Sequence, residues 1–134
     1  MDHGSDNPDR IRSYRDLKAW QHSFRLALEV HRVTESFPRS ERFGLSAQVR
    51  RSSVSVPANI AEGYGRGGRQ DYVRFLKIAR GSLYETDNHL LLSRELGFLP
   101  RDDNDAVKDV LDHAERTLAG LIRSLEPPNN TGDT

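Results

Sequence analysis

Q-V-R-R-S-S-V-S-V-P-A-N-I-A-E-G-Y-G-R, residues Gln48 to Arg66, is the stretch whose reading decides the fold. Leu45, Val49, Ser52, Val56, Ile60 and Gly63 recur at spacings of three and four, the stripe of an α-helix. Ala47, Val54, Ala58 and Ala61 make a second stripe of small or apolar residues beside it, so this helix is expected to make contacts on more than one side. Pro57 lies inside the pattern. It removes one backbone donor and crowds the carbonyl of Ser53, four residues earlier. The hydroxyls of Ser52, Ser53 and Ser55 are placed to absorb that disruption. A helix this small-sided lets neighbours approach closely and depends on them for stability. Pro57, Asn59 and Glu62 are therefore read as a structural hub.

Working outward, the remaining chain predicts three more helices. Ser13-Tyr14-Arg15-Asp16 has the form of a capping box with Asp in the usual Glu or Gln place. Leu17, Trp20, Phe24, Ala27, Leu28 and His31 follow at helical spacing, with Val30, Val33 and Phe37 beside them. The first helix is expected from about Tyr14 to Glu35, closed by Phe37-Pro38. Ser40 is a candidate cap for the second, expected over about Phe43 to Gly63. Gly63, Gly65, Gly67 and Gly68 make the next turn permissive. The third helix begins near Arg69 or Gln70 and runs to about Leu96, with Tyr72, Phe75, Leu76, Ala79, Leu83, Thr86, Leu90 and Ser93 on one stripe and Ile78, Gly81, Ser82, Glu85 and Leu92 on another. Gly81 costs about 1 kcal/mol against alanine there, and close approach of a neighbouring helix is its expected reason. Gly97 and Pro100 end the helix. Asp102, Asp103 and Asp105 place negative charge where a helix N-terminus favours it. Val107, Val110, Leu111, Ala114, Leu118, Leu121, Ile122 and Leu125 form the fourth apolar face, ended by Pro127-Pro128.

Four long amphipathic helices on short turns predict an all-α, up-down-up-down antiparallel four-helix bundle. It would span residues 13–126, between disordered tails at 1–12 and 127–134. A chain of 134 residues suits one domain. The absence of cysteine excludes disulfides and thiolate metal sites. No run approaches the roughly 18 apolar residues of a membrane helix. The N-terminus lacks the basic and apolar regions of a signal peptide, so a cytoplasmic protein is expected.

Net charge is zero, yet it is unevenly distributed. Residues 39–80 carry nine basic and three acidic side chains, a net +6; residues 81–134 carry five basic and eleven acidic, a net −6. The basic third suits an anionic partner, or else the two thirds satisfy each other within the fold or across subunits. Arg50, Arg51, Arg66, Arg69, Arg74, Lys77 and Arg80 form the candidate nucleic-acid-binding set. Arg69, Lys77 and Arg80 can share a face of the third helix, and Tyr64 and Tyr72 stand close by for stacking on bases.

Catalytic and metal chemistry finds little support. Di-iron bundles use Glu-x-x-His on two helices, and that motif does not occur. Glu85 and His89 stand alone at i, i+4, and His22 and His31 lie nine residues apart. The glycines after Gly63 follow a helix, whereas a phosphate cradle normally follows a strand. The expectation is a protein that is not an enzyme and needs no cofactor or metal.

Five segments carry a family resemblance: D-L-K-A-W-Q (Asp16 to Gln21), F-P-R-S-E-R-F-G-L (Phe37 to Leu45), Q-V-R-R-S-S-V-S-V-P-A-N-I-A-E-G (Gln48 to Gly63), F-L-K-I-A-R-G-S-L-Y-E (Phe75 to Glu85) and L-G-F-L (Leu96 to Leu99). In this order, over about residues 13–125, the chain resembles the bacterial four-helix-bundle family of 23S rRNA-intervening-sequence proteins. That resemblance implies a bundle assembling into a ring-shaped homopentamer. The family includes the accessory variability protein of diversity-generating retroelements, which binds nucleic acid through basic residues and partners a reverse transcriptase. The present chain shares a basic middle third with that relative but is neutral overall and acidic in its fourth helix. The resulting expectation is an oligomeric accessory protein that binds RNA or DNA and partners a reverse transcriptase. The alternative is a structural or adaptor homo-oligomer that binds a protein and uses its basic region for subunit pairing.

Overall fold

The apolar stripes fold as four α-helices. The computed structural model describes residues 10–127 and contains α1 (Lys18–Thr34), α2 (Leu45–Tyr64), α3 (Arg69–Glu95) and α4 (Arg101–Leu125). No strand occurs among the described residues. Of the tails expected at 1–12 and 127–134, residues 1–9 and 128–134 lie outside the described residues. The most extensive contact is α2 on α3; α1 packs on α4 and α2, and α3 also on α4. Partners meet in reverse order along α2 and α3: Gly63 faces Phe75 and Tyr72, Ser55 meets Ser82, and Ser52 meets Thr86. The shared core takes Leu26, Val30 and Val33 from α1 and Val49, Val56 and Ile60 from α2. Leu76, Leu83 and Leu90 join from α3, and Val107, Leu111, Leu118 and Ile122 from α4. Fully burying each such side chain contributes about 1.5–3 kcal/mol.

Local chemistry shifts three of the expected helix starts and faces. The Ser13–Asp16 capping box forms, but it heads a separate 3₁₀ turn over Tyr14–Asp16. Leu17 is then extended, and α1 begins at Lys18. Ser40 is not the cap of α2. It lies in a 3₁₀ turn over Arg39–Glu41, and Glu41 Oε1 accepts from the Leu45 amide at 3.1 Å instead. A carboxylate there also complements the helix dipole. On α1 the buried stripe is Ser23, Leu26, Val30 and Val33, whereas Phe24 and Leu28 face outward. The end of α3 follows the expected punctuation. Gly97 takes φ +81°, and the Phe98 and Gly97 amides donate to Ser93 and Arg94 carbonyls at 2.9 and 3.0 Å, a Schellman closure.

Pro57 is buried in α2 without ending it. A seam of small polar side chains accompanies it. Asn59 Nδ2 donates to the Ser55 carbonyl (2.8 Å) and to Ser55 Oγ (2.9 Å). Because Ser55 Oγ accepts there, its own proton is free for Ser82 Oγ across the α2–α3 contact, 2.9 Å away. One turn further, Thr86 Oγ1 lies 2.8 Å from Ser52 Oγ and 2.8 Å from the Ser82 carbonyl. Ser53 Oγ donates to the Arg50 carbonyl at 2.9 Å. Buried hydroxyls in this seam are thus satisfied, which avoids the desolvation cost of orphaned polar groups.

The close helix approach expected at Gly81 occurs elsewhere. A Cβ at Gly81 would meet nothing within 4 Å, and Gly81 is exposed. At Gly63 a Cβ would stand 2.9 Å from Phe75 Cβ and 3.2 Å from both Tyr72 Cδ1 and the Tyr72 carbonyl. The absence of a side chain at Gly63 is what lets α2 and α3 meet as they leave the turn.

Candidate nucleic-acid interface

The turn between α2 and α3 concentrates charge because Gly65, Gly67 and Gly68 let the chain reverse within four residues, with Gly67 at φ +92°. Arg66 in this turn reaches back to Glu62 (3.4 Å) and forward to Asp71 (3.4 Å). Arg74, one turn into α3, also pairs with Asp71 at 3.4 Å. Both guanidiniums lie over Phe75, 5.2 and 4.6 Å from its ring centroid. Two carboxylates thus balance two guanidiniums held against one aromatic ring, each contact worth about 1 kcal/mol or less at an exposed site. Tyr64 and Tyr72 pack edge to face, centroids 6.1 Å apart, half-buried against the core.

The rest of the basic set is divided around the bundle. Lys77 pairs with Glu126 at 2.7 Å, tying α3 to the end of α4. Arg69 lines a cleft with Gln70, Val73, Leu125, Glu126 and Pro127. Arg69 and Arg80 have no ion-pair or hydrogen-bond partner among the described residues, and neither does exposed Arg51 on α2. Arg50 is half-buried and engaged between helices: its Nε donates to Thr34 Oγ1 at 2.7 Å, and its guanidinium stands 3.7 Å from Glu35. The structure therefore brings Arg66 and Arg74 together over Phe75, turns Arg69 and Lys77 toward the end of α4, and leaves Arg80 half-buried three turns into α3. It sets Arg51 apart and uses Arg50 in packing. Of the three hub residues, Pro57 is buried, Asn59 is half-buried against Ser55, and Glu62 is exposed and bound to Arg66.

Exposed apolar side chains form a further feature. Phe24 and Leu28 on α1, Val54 on α2, and Ile78, Tyr84, Leu91 and Leu92 on α3 are each between 42% and 59% exposed, and Phe43 is 87% exposed. In the small stripe of α2, Val54 and Ala58 are exposed and Ala47 and Ala61 half-buried. Its signal in the sequence was the second stripe itself.

Two histidine arrangements complete the polar inventory. His89 is buried, 3.3 Å from Glu85. His22 on α1 and His113 on α4 lie with ring centroids 5.2 Å apart. Burial first, then the charges of His113, Arg25, Lys18 and Arg116, holds the His22 pKa below its ordinary value. Among the described residues no three His, Asp or Glu side chains gather as a metal site, and no helix is long and apolar enough to cross a membrane.

The family model described as 23S rRNA-intervening sequence protein matches residues 15–120. The fold is similar to a solved structure from Bacteroides thetaiotaomicron, a protein of unknown function from the S23 ribosomal protein family. The TM-score is 0.72 at 23% identity, covering 78% of this chain and 95% of that one. No curated protein matches the chain.

Proposed function

The chain belongs to the 23S rRNA-intervening sequence protein family, and on that premise we propose that it is a non-enzymatic, self-assembling bundle that binds RNA or DNA at the start of α3. Its helices run up-down-up-down, and its copies close into a homopentameric ring. The observation that carries the nucleic-acid reading is the pair of unpartnered cations on α3, Arg69 and Arg80, together with the Arg66 and Arg74 guanidiniums held over Phe75. Phosphates would engage the free guanidiniums and compete with Asp71 and Glu62 for the bound ones. Reversed contact order along α2 and α3 supports the antiparallel arrangement. Exposed Phe24, Leu28, Val54, Ile78 and Leu92 support self-assembly, since apolar area of this kind is otherwise left in water. The reverse-transcriptase partner implied by the sequence resemblance belongs to the same proposal; co-purification from a host carrying both proteins tests it.

The decisive experiment is a salt titration of oligonucleotide binding by the wild type and by Arg69→Ala/Arg80→Ala. Binding should weaken steeply with salt, and the double variant should flatten the slope by about 2. Unchanged affinity in the double variant refutes the assignment.

Neutralisation of Arg66, Arg74 and Lys77 by Glu62, Asp71 and Glu126 favours a second reading, an adaptor or structural homo-oligomer that binds a protein. In that case the double variant alters oligomer mass in light scattering and leaves no nucleic-acid binding to measure.

A further inference from the structure

At the opposite end of α2 from the glycine turn, the geometry points to a second, separate site: a phosphate-binding cleft built by Arg39, Arg42, Arg50 and Ser46. The cleft, about 170 Å³, lies where α1 ends and α2 begins and is lined by Thr34, Glu35, Phe37 and Pro38 besides those four residues. Three arginines line it against one acidic residue, Glu35. Arg39 and Arg42 are exposed and have no acidic partner among the described residues; Arg42 instead lies 5.3 Å over the Phe43 ring. Arg50 is anchored through Nε to Thr34 Oγ1, which fixes its direction, and its Nη2 makes only long contacts, 3.5 Å to the His31 carbonyl and 3.7 Å to a Glu35 that is 80% exposed. A carboxylate so solvated is readily displaced.

Ser46 adds a neutral donor at the same cleft. It is only 7% exposed, lines the cleft, and has no hydrogen-bond partner among the described residues. Its oxygen is not enclosed, since Ser23 Oγ is the one fully buried unpaired side-chain polar atom among the described residues, so the Ser46 hydroxyl opens to the cleft. A serine in the first turn of a helix would ordinarily bond a nearby backbone or side-chain group. Here it lines the cleft with Arg39, Arg42 and Arg50, in the first turn of α2, whose end the Glu41 carboxylate already caps. A tetrahedral oxyanion satisfies all of these at once: charge-assisted bonds from the guanidiniums and one from the Ser46 hydroxyl. The ligand chemistry is a phosphate group, whether inorganic phosphate, a terminal phosphomonoester or a backbone phosphodiester. The site shares with the sequence-derived basic set only Arg50, and it stands without the reading of the α3 surface.

The test uses the full chain, isotopically labelled, titrated with sodium phosphate against sodium chloride at matched ionic strength. Amide shifts of Leu45, Ser46 and Thr34 should move saturably with phosphate and not with chloride. Ser46→Ala removes only an unpartnered hydroxyl, so it keeps the fold, and should weaken phosphate binding about 10-fold. Arg42→Ala, at an exposed and screened position, should weaken it roughly 5-fold. Short oligonucleotides with a 5′-phosphate or a 5′-hydroxyl then compete for the site. Displacement by the first alone identifies a monoester, and equal displacement by both identifies a backbone diester. Equal shifts with chloride, or wild-type phosphate affinity in Ser46→Ala and Arg42→Ala, overturns the inference. Loss of oligonucleotide binding in Arg69→Ala/Arg80→Ala with these shifts intact separates this site from the α3 surface.

Discussion

Replacing Gly63 by alanine isolates the contact that sets how α2 and α3 meet. In an exposed helix interior, Gly→Ala stabilises by about 0.8–1.0 kcal/mol through backbone entropy. At Gly63 the new Cβ would lie 2.9 Å from Phe75 Cβ, with the Tyr72 ring and carbonyl each at 3.2 Å. Phe75 Cβ and the Tyr72 carbonyl belong to or adjoin the backbone, so neither retreats by a rotamer change, and α3 itself must shift. Overpacking of this kind costs roughly 2–3 kcal/mol. The net expectation is a loss of about 1–2 kcal/mol, or roughly 3–8 °C in midpoint for a chain of this size. Gly81→Ala is the matched control. Nothing lies within 4 Å of its Cβ, so a single chain should gain about 0.5–1 kcal/mol. Urea unfolding of both variants, with oligomer mass measured alongside, is the assay. Equal or greater stability in Gly63→Ala would refute the close-approach argument. A Gly81→Ala variant that is less stable and lighter in mass would place a neighbouring subunit against that glycine.

Three further outcomes follow from polar groups in the bundle. Ser23 Oγ is buried without a partner, so Ser23→Ala should raise stability by about 1 kcal/mol in denaturant unfolding. Thr86→Val keeps the shape but removes the hydroxyl that reaches Ser52 and Ser82; a loss of about 1–2 kcal/mol is expected by the same measurement. His22 is held below its ordinary pKa of 6.5 by burial and by His113, Arg25, Lys18 and Arg116. The unfolded chain therefore binds a proton at higher pH than the folded one. Stability should be unaffected by this group above about pH 6.5 and fall as pH drops from there through the lowered folded value. His22→Gln should flatten that part of the stability–pH curve, and an unaltered curve would rule His22 out as its source.

The outline of the helices was legible because each needs one buried stripe, and spacing of three and four reports that directly. Faces were harder to read. Phe24 and Leu28 continue a good helical stripe, but Leu26, Val30 and Val33 make an equally good one, and α1 buries the latter. The capping box at Ser13 was likewise present as read. The extended Leu17 after it, which turns the box into the head of a 3₁₀ turn, is set by burial of Leu17 in the core. The cleft of Arg39, Arg42 and Ser46 left no mark in the sequence, since a serine's missing partner is visible only when its surroundings are known.

Sequence alone determined four amphipathic helices, a proline carried inside the second, and a basic middle third followed by an acidic last third. These are properties of local spacing and composition. Tertiary structure decided which glycine admits a neighbour and which cations remain free. Lys77 is neutralised by Glu126, 49 positions away, and Arg50 is drawn to Thr34 across the α1–α2 contact. Arg69 and Arg80, of the same type in the same run, stay unpaired. Charge density is a sum over the chain, whereas availability for a ligand depends on distances of a few ångströms between residues that only packing brings together.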